Sequence, residues 1–204
     1  MASTKQIIYW DTCIWLAWIK NEKRKPGEIE GIQEQVEQFE RDEIFLATSV
    51  LSLTEMLDLQ NKLSAAGQRK FQGFFRHPKL VRIAADLRVA ELARDLRDYY
   101  FLQHQQDGLP TIELGDAIHL ASALHLRVNR FMTFDERDSK NPKHPRRGLI
   151  NLSGNVAGHK LKIERPMVLS AQMALQLVPP PVAPNVGPSE AKAAAEDQGR
   201  PPQD

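Results

Sequence analysis

Asp11, Glu55, Asp116 and Asp135 stand apart from the other acidic residues of this chain because each borders an apolar run. Asp11 follows Ile7-Ile8-Tyr9-Trp10, and Asp135 follows Phe131-Met132-Thr133-Phe134. Both runs are short, apolar and β-prone, the pattern of a buried strand. Glu55 falls in the first two turns of a predicted helix, and Asp116 falls near the start of another. In open parallel α/β sheets ligands gather beyond the carboxyl ends of the strands, so all four acids are expected near one rim. Crowded carboxylates repel one another and raise each other's pKa. A hard divalent cation, Mg²⁺ or Mn²⁺, relieves that repulsion through oxygen ligands while keeping several waters. Such an ion activates a water and stabilises a phosphodiester in transit, with no need for a histidine or serine nucleophile. Taken singly, each acid has an ordinary structural role open to it. Asp11 is placed to N-cap a helix, Asp116 to sit favourably in a first turn, Glu55 to occupy a solvated or half-buried face, and Asp135 to open a turn. The combination, rather than any one acid, points to chemistry.

These acids need strands and helices in alternation to hold them. After the first strand, Ile14 to Ile19 suits a helix packed on a sheet, and Pro26-Gly27 marks a turn beyond it. Ile29, Ile32, Val36 and Phe39 recur at helical period. Ile44 to Ala47 reads as a second strand, with Thr48-Ser49 capping a helix through Leu51, Leu53, Met56, Leu57 and Leu59. A short helix is expected around Phe71, Phe74 and Phe75, ending before Pro78. Leu80 to Ile83 is the third strand. A long helix from Asp86 to about Gln105 offers Leu87, Ala90, Leu92, Ala93 and Leu96 as core. Thr111 is placed to cap the helix that carries Asp116, and the fourth strand runs from Phe131 to Asp135. Ile150-Asn151-Leu152 and Leu161-Lys162-Ile163 are weaker strand candidates. The pattern implies a single three-layer α/β/α domain with a mostly parallel central sheet. The expected divisions are a domain over 1–165, a C-terminal extension over 166–178, and a Pro/Ala-rich disordered tail over 179–204.

Composition is that of an ordinary globular protein, with 42% hydrophobic and 26% charged residues. The formal net charge of +1 hides an uneven distribution. Residues 137–165 carry eight Lys or Arg against two acids, while the chain on either side of them is net acidic. Lys140, Lys143, His144, Arg146 and Arg147 form a basic loop directly after the last acid. It is read either as a phosphate-contacting rim or as a solvated loop. The one cysteine, Cys13, allows no intrachain disulfide and no CxxC metal site. With no signal-like N-terminus and no long apolar segment, a cytoplasmic protein without a membrane span is expected.

Four stretches resemble the PIN-domain family, and in particular its VapC-type toxins. They are Ile-Ile-Tyr-Trp-Asp-Thr at 7–12, Ala-Thr-Ser-Val-Leu-Ser-Leu-Thr-Glu-Met-Leu at 47–57, Gly-Asp-Ala-Ile-His-Leu-Ala-Ser-Ala-Leu at 115–124 and Met-Thr-Phe-Asp at 132–135. Their order and spacing match over residues 5 to about 140. The resemblance implies endonucleolytic cleavage of RNA with Mg²⁺ or Mn²⁺, with Asp11, Glu55, Asp116 and Asp135 as metal ligands. Beside these ligands Thr12 and Thr133 are placed for supporting hydrogen bonds and Asp138 is a candidate fifth acid, while the position of the basic loop just after the last acid makes Lys140, Lys143, Arg146 and Arg147 candidate RNA contacts. The resemblance also implies a cognate antitoxin and a homodimer. Cys13 stands where such proteins often carry a small polar residue, so one supporting hydrogen bond is expected to be missing.

Other classes fit poorly. A receiver domain needs a Lys where the fourth strand ends in Asp135, and a haloacid-type phosphatase needs DxD where the chain reads Asp11-Thr12-Cys13. No Gly-rich phosphate loop and no HExxH is present. Nor is there a long insertion to build the helical clamp of a flap-type DNA nuclease. A catalytically inactive RNA- or protein-binding module of the same fold is the alternative, against which the presence of all four acids argues. His119, one turn beyond Asp116, is expected to be a satisfied, partly buried histidine, and Trp10, Trp15 and Trp18 are expected in the core.

Overall fold

The computed structural model describes residues 5–58, 63–139 and 145–168. Five strands form one sheet: β1 (Gln6–Trp10), β2 (Ile44–Ser49), β3 (Val81–Ile83), β4 (Arg130–Met132) and β5 (Ile163–Glu164). Their order is β3-β2-β1-β4-β5, with every pairing parallel. Parallel neighbours need crossovers, supplied by α1 (Thr12–Lys20), α2 (Glu28–Glu40), α3 (Leu51–Asp58), α4 (Ala65–Phe75), α5 (Leu87–Asp107) and α6 (Leu114–Leu126).

The alternation of side chains along a strand divides the core in two. Ile8 and Trp10 of β1 face one side with Ile14, Trp15, Ile32, Phe39, Phe71 and Phe75 from the helices there. Tyr9 faces the other side with Val89, Ala93, Leu96 and Tyr100 of α5 and Ala117, Leu120 and Ala121 of α6. With both faces covered, β1 and β2 sit in the centre as near-continuous apolar runs. The three tryptophans pack as expected. Trp15 meets Trp10 at 4.8 Å, Trp18 at 6.2 Å and Phe74 at 5.4 Å between ring centroids, all edge-to-face.

Several local expectations are corrected. Ile150-Asn151-Leu152 is not a strand but part of a 3₁₀ turn, Leu149–Leu152. Leu149 and Leu152, three residues apart, are the buried pair, which is the 3₁₀ period. The last strand is Ile163–Glu164, beginning later than Leu161. Thr111 does not cap α6, whose N-cap is Glu113; Thr111 pairs instead with the chain at Arg146. Thr48 and Ser49 are the last residues of β2 rather than caps, although Ser49 Oγ accepts from the Leu51 N–H at 3.1 Å. On α5, Leu87 and Ala90 are exposed, and Val89 and Tyr100 are buried in their place. Leu59, Lys140, Lys143 and the tail from 179 lie outside the described residues. Among the described residues, no helix is long and apolar enough to cross a membrane.

Candidate functional site

Asp11 stands where β1 ends, and its own chemistry starts α1. Its Oδ1 accepts from the Thr12 N–H at 2.6 Å. Its capping role and a place in the site are therefore compatible. The second oxygen, Oδ2, accepts from the Thr133 hydroxyl at 2.8 Å and from the Cys13 thiol at 3.3 Å. Thr133 Oγ1 also accepts from the Asp135 N–H at 3.1 Å, so one fully buried hydroxyl ties the first acid to the last. The hydrogen bond expected to be missing at Cys13 is present in a weaker form: Sγ also accepts from the Phe134 N–H at 3.2 Å. Burial, and then the neighbouring Asp11, hold that thiol well above its usual pKa, in keeping with its role as a donor to the carboxylate.

Glu55 reaches the same rim from α3. Its Oε2 accepts from the Thr12 hydroxyl and lies 3.0 Å from His119 Nε2. A carboxylate only accepts, so Nε2–H is the donor. His119 is buried, and its Nδ1 lies 2.8 Å from the Tyr9 hydroxyl. Burial works against the charge on Glu55, yet the hydrogen bonds from His119 and Thr12 outweigh it and hold the carboxyl below its usual pKa. Gly115 admits this arrangement, because a Cβ there would stand 3.0 Å from Glu55 Oε1. The sequence favours a satisfied, partly buried His119 over one facing the site; the structure makes it both, fully buried and in contact with Glu55, with a second partner that lies 110 residues away in β1.

Asp116 sits in the first turn of α6. Its Oδ2 is buried and makes no hydrogen bond; the nearest cationic atom, Arg146 Nε, is 3.9 Å away, beyond hydrogen-bond range. Burial first, and then the charges of Asp11, Asp135 and Glu113, push its pKa up to about 7 despite the guanidinium. Burial also raises Asp135 against the pull of Arg146. An orphaned buried oxygen within a group of mutually repelling carboxylates is chemically suited to a hard cation. Among the described residues, however, no three His, Cys, Asp or Glu side chains are disposed as a ready-made cation site. Glu55 is held by Thr12 and His119, and Asp135 is held by Arg146 Nη2 at 2.6 Å.

The other candidate residues are placed differently. Asp138 accepts from the Gly148 N–H at 2.8 Å and from Asn151 Nδ2 at 3.0 Å, closing the segment after β4. Arg147 lies over the Tyr100 ring, 5.3 Å from its centroid. The basic segment is partly neutralised by acids inside and outside it: Lys162 pairs with Glu164 at 2.8 Å, and Arg165 pairs with Glu28 of α2 and with Glu136.

The Asp116 environment yields a pH prediction. A carboxyl whose folded pKa is raised stabilises the fold only while protonated; its contribution is fully present below the unfolded pKa and is lost as pH rises through the folded one. From 3.8 to about 7, the loss approaches about 4 kcal/mol. In metal-free buffer, the stability advantage of Asp116→Asn over wild type is therefore expected to grow between pH 4 and pH 7.5, measured by urea denaturation. A difference that does not change with pH would remove the charge crowding.

The PIN domain family matches residues 8–143. Among solved structures, the VapBC2 complex of Rickettsia felis bound to a DNA fragment from its promoter is similar at TM-score 0.50 and 16% identity, covering 78% of this chain and 98% of that one. The DNA-bound VapBC of Salmonella typhimurium is similar at TM-score 0.49 and 19% identity, covering 79% and 98%. A toxin–antitoxin complex of Klebsiella pneumoniae is similar at TM-score 0.47 and 17% identity, covering 76% and 99%. No match was found among curated proteins. The match runs from the middle of β1 past Asp135, and it takes in all four acids at the sheet rim; the chain belongs to the PIN domain family.

Proposed function

We propose that this protein is a metal-dependent endoribonuclease that hydrolyses RNA phosphodiester bonds. The observation that carries the reading is the orphaned Oδ2 of Asp116 amid mutually repelling carboxylates. Asp11, Asp116 and Asp135, with Glu55 beside them, are the residues that would hold Mg²⁺ or Mn²⁺. The ion, when bound, would supply Lewis acidity and an activated water. The chain's own part is positional. Thr133 fixes the Asp11 carboxylate by donating to Oδ2 and receives the Asp135 N–H. Thr12 and His119 fix Glu55 in its charged, accepting form. Arg146 stands at the rim where a phosphate would meet the acids.

A cognate antitoxin, a homodimer and a cytoplasmic location complete the proposal. The first rests on the motif resemblance to VapC-type toxins. The second is supported by the exposed apolar side chains Leu87, Phe101, Leu102 and Leu114, and light scattering of the purified protein tests it.

The decisive assay is cleavage of a panel of tRNA, rRNA fragments and single strands by the full chain in Mn²⁺, in Mg²⁺ and in EDTA. The expected result is cleavage in metal, abolished by EDTA and restored by excess Mn²⁺. A folded protein that cleaves nothing in either metal would favour the inactive binding module, a reading for which the existing Arg146–Asp135 pair also speaks.

A further inference from the structure

Among the described lysines and arginines, Arg146 is the one directed into the acid cluster, where His119 Nε2 also stands 3.0 Å from Glu55 Oε2 and 3.7 Å from Asp11 Oδ1. Its Nη2 lies 2.6 Å from Asp135 Oδ1, its Nε 3.9 Å from Asp116 Oδ2 and its Nη1 3.9 Å from Glu113 Oε2. The side chain is about two-thirds buried, with 34% exposure.

Its placement comes from the backbone rather than from a loose surface attraction. Thr111 and Arg146 form an isolated parallel bridge. The Thr111 N–H and hydroxyl both donate to the Pro145 carbonyl, at 3.1 and 2.8 Å, and the Arg147 N–H donates to the Thr111 carbonyl at 2.7 Å. On the other side, the Ser139 N–H donates to the Arg146 carbonyl at 2.6 Å. Gly148 lets the next turn press against Glu136, since a Cβ there would lie 2.4 Å from the Glu136 carbonyl carbon. Residues 145–148 are thus fixed to the approach of α6 and to the segment after β4, the two elements that carry Asp116 and Asp135.

We propose that Arg146 is the internal counter-ion of the carboxylate cluster, and that a divalent cation binds only by displacing its guanidinium from Asp135. The inference rests on the metal-dependent reading above and goes beyond it. It makes cation affinity a property of the 145–148 segment as well as of the acids. A fixed positive charge within a few ångströms opposes a second cation in the same pocket, and the carboxylate it satisfies is withdrawn from the ligand set.

Calorimetric titration of the full-length protein with MnCl₂ alone tests this without RNA or turnover. Arg146→Ala is expected to bind Mn²⁺ at least about tenfold more tightly than wild type, while Arg146→Lys, which keeps the charge, stays near wild type. Arg146→Gln, which removes the charge but keeps much of the stem, serves the same test should alanine fail to fold. In thermal melts the metal-free alanine variant is expected to melt lower than wild type, with a larger rise on adding Mn²⁺. Equal or weaker Mn²⁺ binding by Arg146→Ala and Arg146→Gln, with binding abolished in Asp116→Asn, would overturn the counter-ion role and leave the metal site standing. Absence of Mn²⁺ binding in every form would remove the metal site itself, and the counter-ion role with it.

Discussion

Asp116→Asn is expected to lower Mn²⁺-dependent RNA cleavage by at least about a hundredfold in kcat/KM while leaving the protein folded. Changes to groups that merely orient metal ligands typically cost roughly 10–100-fold, and Asp116 is proposed as a ligand itself. The substitution keeps the size of the side chain and removes its charge, so packing at the first turn of α6 is preserved. It also relieves the crowding that burial, Asp11, Asp135 and Glu113 impose, so the variant should be no less stable than wild type in metal-free buffer at pH 7.5. That combination separates a functional carboxylate from a structural one. A structural acid would lose stability when neutralised, and activity would fall only in proportion to the folded fraction. Single-turnover rates and thermal melts on the same preparations check it. Retention of more than about a tenth of the wild-type rate would exclude Asp116 from the ligand set.

Trp15→Ala is expected to produce the largest loss of stability, about 3–5 kcal/mol, from the transfer and cavity costs of deleting a buried aromatic ring. Trp15 is fully buried, packs edge-to-face against Trp10, Trp18, Phe71 and Phe74, and donates its indole N–H to Thr48 Oγ1 at 3.2 Å. Thr48 Oγ1 in turn donates to the Trp10 carbonyl at 2.9 Å, so the deletion also loosens the joint between β1 and β2 just before Asp11. For a domain of this size the midpoint should fall by on the order of 10 °C, with Trp15→Phe losing less. A fall of less than about 2 °C would mean that the aromatic cluster contributes little to the packing of α1.

Much of this arrangement was legible in the sequence because its causes are local or periodic. An apolar run that ends in an acid marks a strand and its carboxyl end, and two such runs placed Asp11 and Asp135 on the same rim. Helical spacing placed Asp116 in a first turn and Glu55 early in its helix. The features that could not be read depend on contacts between distant segments. Nothing near His119 in sequence shows that its Nδ1 meets Tyr9. Thr111 resembles a helix cap, yet it is recruited by the chain at 145–147, and that recruitment is what directs Arg146 onto Asp135. The basic segment carried the same ambiguity. Its net charge is visible in the sequence, but the pairing of Arg165 with Glu28 and Glu136 and of Lys162 with Glu164 depends on the fold. Short apolar triplets are ambiguous by nature, and Leu149 to Leu152 settled as a 3₁₀ turn because two leucines three residues apart could both be buried there.

The proposed RNA hydrolysis and the counter-ion role of Arg146 both depend on the acids at the rim forming a cation site, and anomalous diffraction from crystals soaked in MnCl₂ would show whether they do. The expected map has an anomalous peak bounded by the carboxylates of Asp11, Asp116 and Asp135, with the Arg146 guanidinium withdrawn from Asp135. A map with no peak among those carboxylates, from crystals in which Arg146 still holds Asp135, would contradict the cation site.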